Sequence, residues 1–197
     1  MKKVLLAGLV GGLVIFFWGF LAHMVLPIGE MGYRPMPVNS PLLEAMKSNL
    51  SEPGLYYFPG KEAGRKQTKT EDVVWESKYK VGPTGLLLYH PTGEDHVSGK
   101  RLGIEMASDI AGALLLAYLL SALGGSIAKK IRFSVLAGIF GWVSISLIEW
   151  NWYGYPGAWL AGELIDQIVG WGLAGAVMAV LWRSIDRRAA RLAAAQA

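Results

Sequence analysis

The chain has 197 residues, of which 53% are hydrophobic and only 17% charged, and its net charge of +4 comes from 19 basic and 15 acidic side chains. A soluble domain carries about 25% charged residues, so this deficit and a mean hydropathy of +0.35 point to a membrane. The sequence has no cysteine, which excludes disulfides, thiolate metal sites and cysteine nucleophiles, and its 25 glycines, about twice the ordinary share, suit apolar helices in close contact.

Residues 4–26 contain no charge beyond any on His23. At 1.5 Å per residue they reach roughly 34 Å, enough to cross a ~30 Å hydrocarbon layer. Lys2 and Lys3 precede them as in a signal peptide. The apolar run exceeds the ~7–15 residues of such a segment and no small-x-small cleavage site follows, so it reads as a retained signal anchor.

Residues 27–102 hold ten of the basic and nine of the acidic residues, which is the composition of a soluble domain. Asn39 or Ser40 caps a predicted helix over 41–50, with Pro41 in its first turn and Leu42, Leu43, Met46 and Leu50 buried. Pro53-Gly54 breaks the chain, and 55–58 reads as a strand. Residues 60–72 are charged and poor in apolar side chains, which predicts a loop. Val73, Trp75 and Tyr79 alternate with Val74, Glu76, Lys78 and Lys80, which predicts a half-buried strand. A turn over 81–85 leads to a third strand, 86–90, whose leucines on both faces suit a central position. Residues 93–100 approach a phosphate-binding loop, but one residue too many separates the glycines and Arg101 replaces the Ser or Thr that would hold magnesium, so the motif is rejected. His90 and His96 with Glu94 and Asp95 could bind a metal; Pro91-Thr92-Gly93 makes a turn the simpler account.

Three further apolar runs follow, 104–125, 133–150 (starting near Ile131) and 157–182, the last long enough to require tilt. Trp150, Trp152, Tyr153, Tyr155 and Trp159 cluster between the third and fourth, as an interfacial aromatic belt does; a rim guarding a site or contacting quinone-like ligands is the sharper alternative. Beyond the last run, Arg183, Arg187 and Arg191 recur every fourth residue, placed to meet anionic lipid headgroups. Nucleic acid is a poorer partner for nine basic residues split among three membrane-adjacent segments.

The expected fold is mostly α, a four-transmembrane-helix bundle with a small α+β extracytoplasmic domain inserted between helices 1 and 2. Its parts are the signal-anchor helix (1–26), the extracytoplasmic domain (27–102), helices 2 to 4 (103–182) and a basic cytoplasmic tail (183–197). Lys2, Lys3, Lys129, Lys130, Arg132 and the tail arginines gather on one side, against Asp186 alone, while the short loop 151–156 has no charge. This positive-inside pattern puts both termini in the cytoplasm, in an inner membrane if the host is bacterial.

Ionisable residues inside the spans are the most informative feature, since each costs about 2.5–3.5 kcal/mol at mid-membrane on insertion scales. Five acids qualify, Glu105, Asp109, Glu149, Glu163 and Asp166, together with His23. Counting from the outer ends puts all six in the outer half, with Asp109 and Glu163 roughly 9 Å deep and Asp166 roughly 14 Å. At ~100° per residue each polar group falls on a helix side rich in small residues, which predicts an acidic pocket opening outward. Divalent-cation binding by His23, Asp109, Glu163 and Asp166 is one use for it. Proton or cation handling is a second, weakened by the lack of ionisable groups in the inner half. A third is structural, with the acids meeting Lys100, Arg101 or a partner's cations. No Ser-His-Asp context, G-x-S-x-G elbow or H-E-x-x-H helix occurs. Four spans with a large first outer loop are common to many unrelated membrane proteins and transfer no function. The leading expectation is a non-enzymatic membrane protein without a cofactor, an accessory or envelope-assembly component that meets a protein partner through its outer domain. A cation- or metal-binding protein is the alternative, and a membrane enzyme acting on lipid or quinone the third.

Overall fold

The computed structural model describes residues 1–62 and 64–196. The chain divides into two compact units, one formed by Met1–Tyr33 with Val97–Ala197 and the other by Arg34–His96.

The first unit contains four helical stretches long and apolar enough to cross a membrane: Lys2–Val25, Gly99–Ala122, Ile127–Tyr153 and Gly157–Ala194. Only 17–28% of each apolar window is buried within the protein, so the outward faces, with Leu9, Phe17, Leu115, Phe140 and Val180, are left for lipid. Helix α1 (Lys2–Phe20) passes into a π-turn over Leu21–Val25, in which the Leu26 amide reaches back to the Leu21 carbonyl at 2.8 Å. Pro27 stops it, because the residue before a proline is forced out of the helical region; Leu26 sits at φ −94°, ψ 154°. A short 3-10 turn, Pro27–Glu30, follows.

Helix α4 (Gly99–Ala122) starts at Ser98, whose hydroxyl accepts the Arg101 amide at 3.2 Å. Ser126 caps α5 (Ile127–Ser144) in the same way through the Lys129 amide at 3.3 Å. The expected third span is not one helix. It breaks at Ile145 (φ −122°, ψ −72°) and resumes as α6 (Ser146–Tyr153). The Ser144 hydroxyl bonds back to the Phe140 carbonyl just before the break, the kind of side-chain intrusion that bends helices. Gly154, at φ +72°, supplies the left-handed residue that ends α6. Helix α7 (Gly157–Ala194) runs for 38 residues, so the predicted span and the arginine tail are one rod.

Helix α1 packs along both α4 and α7, and α5 along α7; α4 makes little contact with α5. Glycine allows the closest approach. A Cβ on Gly12 would sit 2.5 Å from the Ile110 Cα, and one on Gly8 2.8 Å from the Leu114 Cα, so α1 meets the backbone of α4 directly. The core is Ala7, Ala113, Leu116, Ala117, Leu120, Ala174, Met178 and Trp182. All of these lie toward the end that carries Lys3 and Asp186.

The second unit contains α2 (Pro41–Asn49), β1 (Gly54–Phe58), α3 (Lys69–Val81) and β2 (Gly85–Tyr89). Ser40 caps α2 as expected, accepting the Leu42 amide at 3.2 Å. Leu42 and Leu43 are nevertheless exposed, and Met46 and Leu50 only half-buried, because no other element packs closely along α2. The strand expected over 73–80 is a helix. Thr68 and Glu71 form a reciprocal capping box, Glu71 and Asp72 occupy the first turn, and Lys78 and Lys80 the last, which together outweigh the brief alternation. Trp75 and Tyr79, one turn apart, then share a face, with rings 5.0 Å apart, and Tyr79 stacks on Tyr57 of β1. The expected loop over 60–72 accordingly ends at Thr68. Strands β1 and β2 pair antiparallel from Gly54↔Tyr89 to Phe58↔Gly85 and form the entire sheet, so β2 is an edge and not a central strand.

Candidate functional site

The π-turn has a local consequence. It carries His23 past the end of α1 and lays the imidazole against Gly29, where any Cβ would come within 2.4 Å of His23 Nδ1. From α7, Asp166 reaches toward the same place. Its Oδ1 accepts a hydrogen bond from the Trp18 indole N–H at 2.6 Å, and its Oδ2 lies 4.0 Å from His23 Nε2. The aspartate is the more enclosed partner, with 23% of its side chain exposed against 49% for His23. Glu163, one turn earlier on α7, is in electrostatic range of Asp166, His23 and Glu149. Asp109 on α4 is in range of Glu105 and Asp166. Glu105 is exposed, whereas Asp109, Glu149, Glu163 and Asp166 are half-buried. One end of the first unit therefore gathers carboxylates from α4, α6 and α7 around the π-turn.

Among the described residues, no lysine or arginine forms an ion pair with Asp109, Glu149, Glu163 or Asp166. Nor do three or more His, Asp or Glu side chains come together in a way that could hold a metal ion. Of His23, Asp109, Glu163 and Asp166, His23 and Asp166 alone approach as a pair.

Two tryptophans within the apolar helices, Trp18 and Trp171, are turned inward. Trp18 is the partner of Asp166. Trp171 donates to Gln167 Oε1 at 2.9 Å and lies where a Cβ on Gly112 or Gly138 would meet it at 2.9 Å. The available signal was the indole N–H, which needs an acceptor wherever water is excluded. In the aromatic turn, Tyr155 and Trp159 lie 4.2 Å apart, and burial, then the Glu149 carboxylate, raises the Tyr155 phenol above its ordinary range.

The opposite end is basic. Lys3 pairs with Asp186, and the Trp182 indole donates to the Lys3 carbonyl at 3.0 Å. Lys130 Nζ donates to the Leu120 and Leu123 carbonyls, each at 2.6 Å, and so caps the C-terminus of α4; it also stands 5.0 Å over the Trp182 ring. Arg183, Arg187 and Arg191 lie exposed along α7 beyond this point.

In the second unit His90 Nδ1 lies 3.5 Å from Glu94 Oε1, both about half exposed. Comparison with protein-family models, with curated proteins and with solved structures gives no significant match.

Proposed function

We propose that this chain is a non-enzymatic integral membrane protein, an accessory or assembly component, whose acidic helix ends and second unit meet a protein partner outside the cytoplasm. Four helices long and apolar enough to span a membrane support the setting. Nine basic residues toward one end and its flanks, against Asp186, favour both termini in the cytoplasm, which in a bacterial host means the inner membrane. The observation that carries the functional reading is the pairing of Asp166 with Trp18: the deepest acid is already spent on tying α7 to α1, as polar glue, while Asp109, Glu149 and Glu163 present carboxylates without a lysine or arginine ion pair among the described residues. That arrangement suits a cation brought by another protein.

The sequence is free of cysteine, so single cysteines report topology and proximity directly. An impermeant maleimide should label Ser51→Cys in intact cells and Ala193→Cys only after permeabilisation; the reverse pattern refutes the orientation. A photo-crosslinking residue at 109 or 163 should capture one membrane partner. Turnover of a substrate by the purified chain alone would defeat the non-enzymatic reading.

A further inference from the structure

At the basic end, α7 and the start of α5 enclose a cleft of about 690 Å³, whose lining includes Ser126, Lys130, Trp182, Arg183, Asp186 and Arg187. A second cleft of about 460 Å³ adjoins it, shares Arg183 and Arg187, and adds Arg188, Arg191 and Val180. The two guanidiniums form a ridge between the clefts, one helical turn apart and both exposed. Two nearby charges already have partners. Asp186 is paired with Lys3, and Lys130, also in the cleft lining, is held by the Leu120 and Leu123 carbonyls. Ile127, Ala128, Ala179 and Ala190 supply apolar lining, and Val180 in the adjoining cleft is 55% exposed, part of the face that lipid would cover.

We infer that this cleft is a specific site for an anionic glycerophospholipid, with the headgroup phosphate held by Arg183 and Arg187 over Trp182 and the acyl chains running along the bare face of α7. The chemistry is phosphate recognition by two planar, always-charged side chains. Continuity with the apolar face selects lipid over a free anion. This is more than the general attraction of a basic tail to a charged leaflet: it predicts one saturable site, in which Arg183 and Arg187 matter and Arg132, exposed but outside both clefts, does not.

The test is native mass spectrometry of the full chain in detergent, titrated with phosphatidylglycerol and, separately, with phosphatidylcholine. Wild type should retain one phosphatidylglycerol, saturably and in preference to phosphatidylcholine. Arg183→Gln with Arg187→Gln should weaken that retention by about ten- to thirtyfold, as expected for two phosphate-facing cations. Arg132→Gln should leave it unchanged, and Arg183→Lys with Arg187→Lys should keep much of it, which separates lost charge from lost fold. Equal retention of the two lipids, undiminished binding by the double glutamine variant, or binding indifferent to ionic strength overturns the site. Displacement by excess inorganic phosphate also overturns it, in favour of a free-anion site. The inference rests on the membrane-spanning reading alone. A chain that stays embedded yet shows no lipid preference defeats the site and leaves that reading standing.

Discussion

The two ends of the helical unit are built by different rules. Toward the basic end the helices are closely packed: Ala7, Ala113, Ala117, Leu120, Ala174 and Met178 are essentially inaccessible, and Gly8 and Gly12 let α1 touch the α4 backbone. Toward the acidic end, Asp109, Glu149, Glu163 and Asp166 are half-buried, and a Cβ on Gly19 would meet nothing within 4 Å. Paired charges and interlocked side chains mark the basic end, and half-buried carboxylates mark the acidic end, where Gly29 and Gly162 still allow close approach around the π-turn. Regions of low local packing are where binding and movement are cheapest, which is the physical basis for proposing a partner at the acidic end.

The comparison can be broken most sharply through its glycines. Gly12→Val should destabilise the unit by about 2–4 kcal/mol, because the new side chain meets the Ile110 backbone, which cannot step aside. Gly19→Ala, with open space around it, should be neutral or stabilise by about 0.5–1 kcal/mol through helix propensity. Thermal unfolding in detergent measures both, and equal losses would erase the distinction between the two halves. Next in size is Lys130→Met, which removes the ammonium donor from the Leu123 and Leu120 carbonyls, leaving Leu120 only the Leu123 amide, and should cost about 1–3 kcal/mol.

At the acidic end, Trp18→Phe should cost about 0.6–1.7 kcal/mol, the range of interhelical hydrogen bonds in membranes, and Asp166→Asn, which keeps an acceptor, should cost less. A larger loss from Asp166→Asn than from Trp18→Phe would mean that the carboxylate's charge, rather than the indole contact, holds α7 to α1. Elemental analysis of wild type and of the Asp109→Asn/Asp166→Asn double variant should show the same metal content. A metal lost only in the variant would revive the cation-binding alternative.

The smallest effect lies outside the membrane segments. Glu71 is held at about 2, first by the Arg65 guanidinium and then by the Thr68 amide and hydroxyl. Its folded value is depressed, so its contribution to the α3 cap is present above the unfolded carboxyl range near 4.5 and fades as pH falls toward 2. Protection factors at the α3 amides, taken against the intrinsic exchange rate at each pH, should therefore fall between about pH 5 and pH 2 in wild type. Glu71→Gln should flatten that dependence; an unchanged profile in the variant would assign it to another group.

Much of this was legible in the residues alone. Apolar length picked out four spanning stretches, and Ser40 was readable as a cap, because length and capping are local properties. The same local logic failed at 73–80. Eight residues of broken alternation say little when Thr68-x-x-Glu71 stands just upstream, and that capping signature was the better guide. The break at Ile145 and the π-turn at His23 were also hidden, since each comes from how a helix end meets its neighbours rather than from periodicity.

Sequence by itself decided that this chain has helices long and apolar enough to span a membrane, with basic residues toward one end and carboxylates toward the other, because apolar length and charge asymmetry are additive along a chain. Tertiary structure alone decided that Asp166 is claimed by Trp18, that Lys130 caps α4 instead of standing free, and that the tight core sits at the basic end. Those are pairings between residues up to 148 positions apart, and a hydrogen bond only a few ångströms long is set by packing, which no single helix encodes.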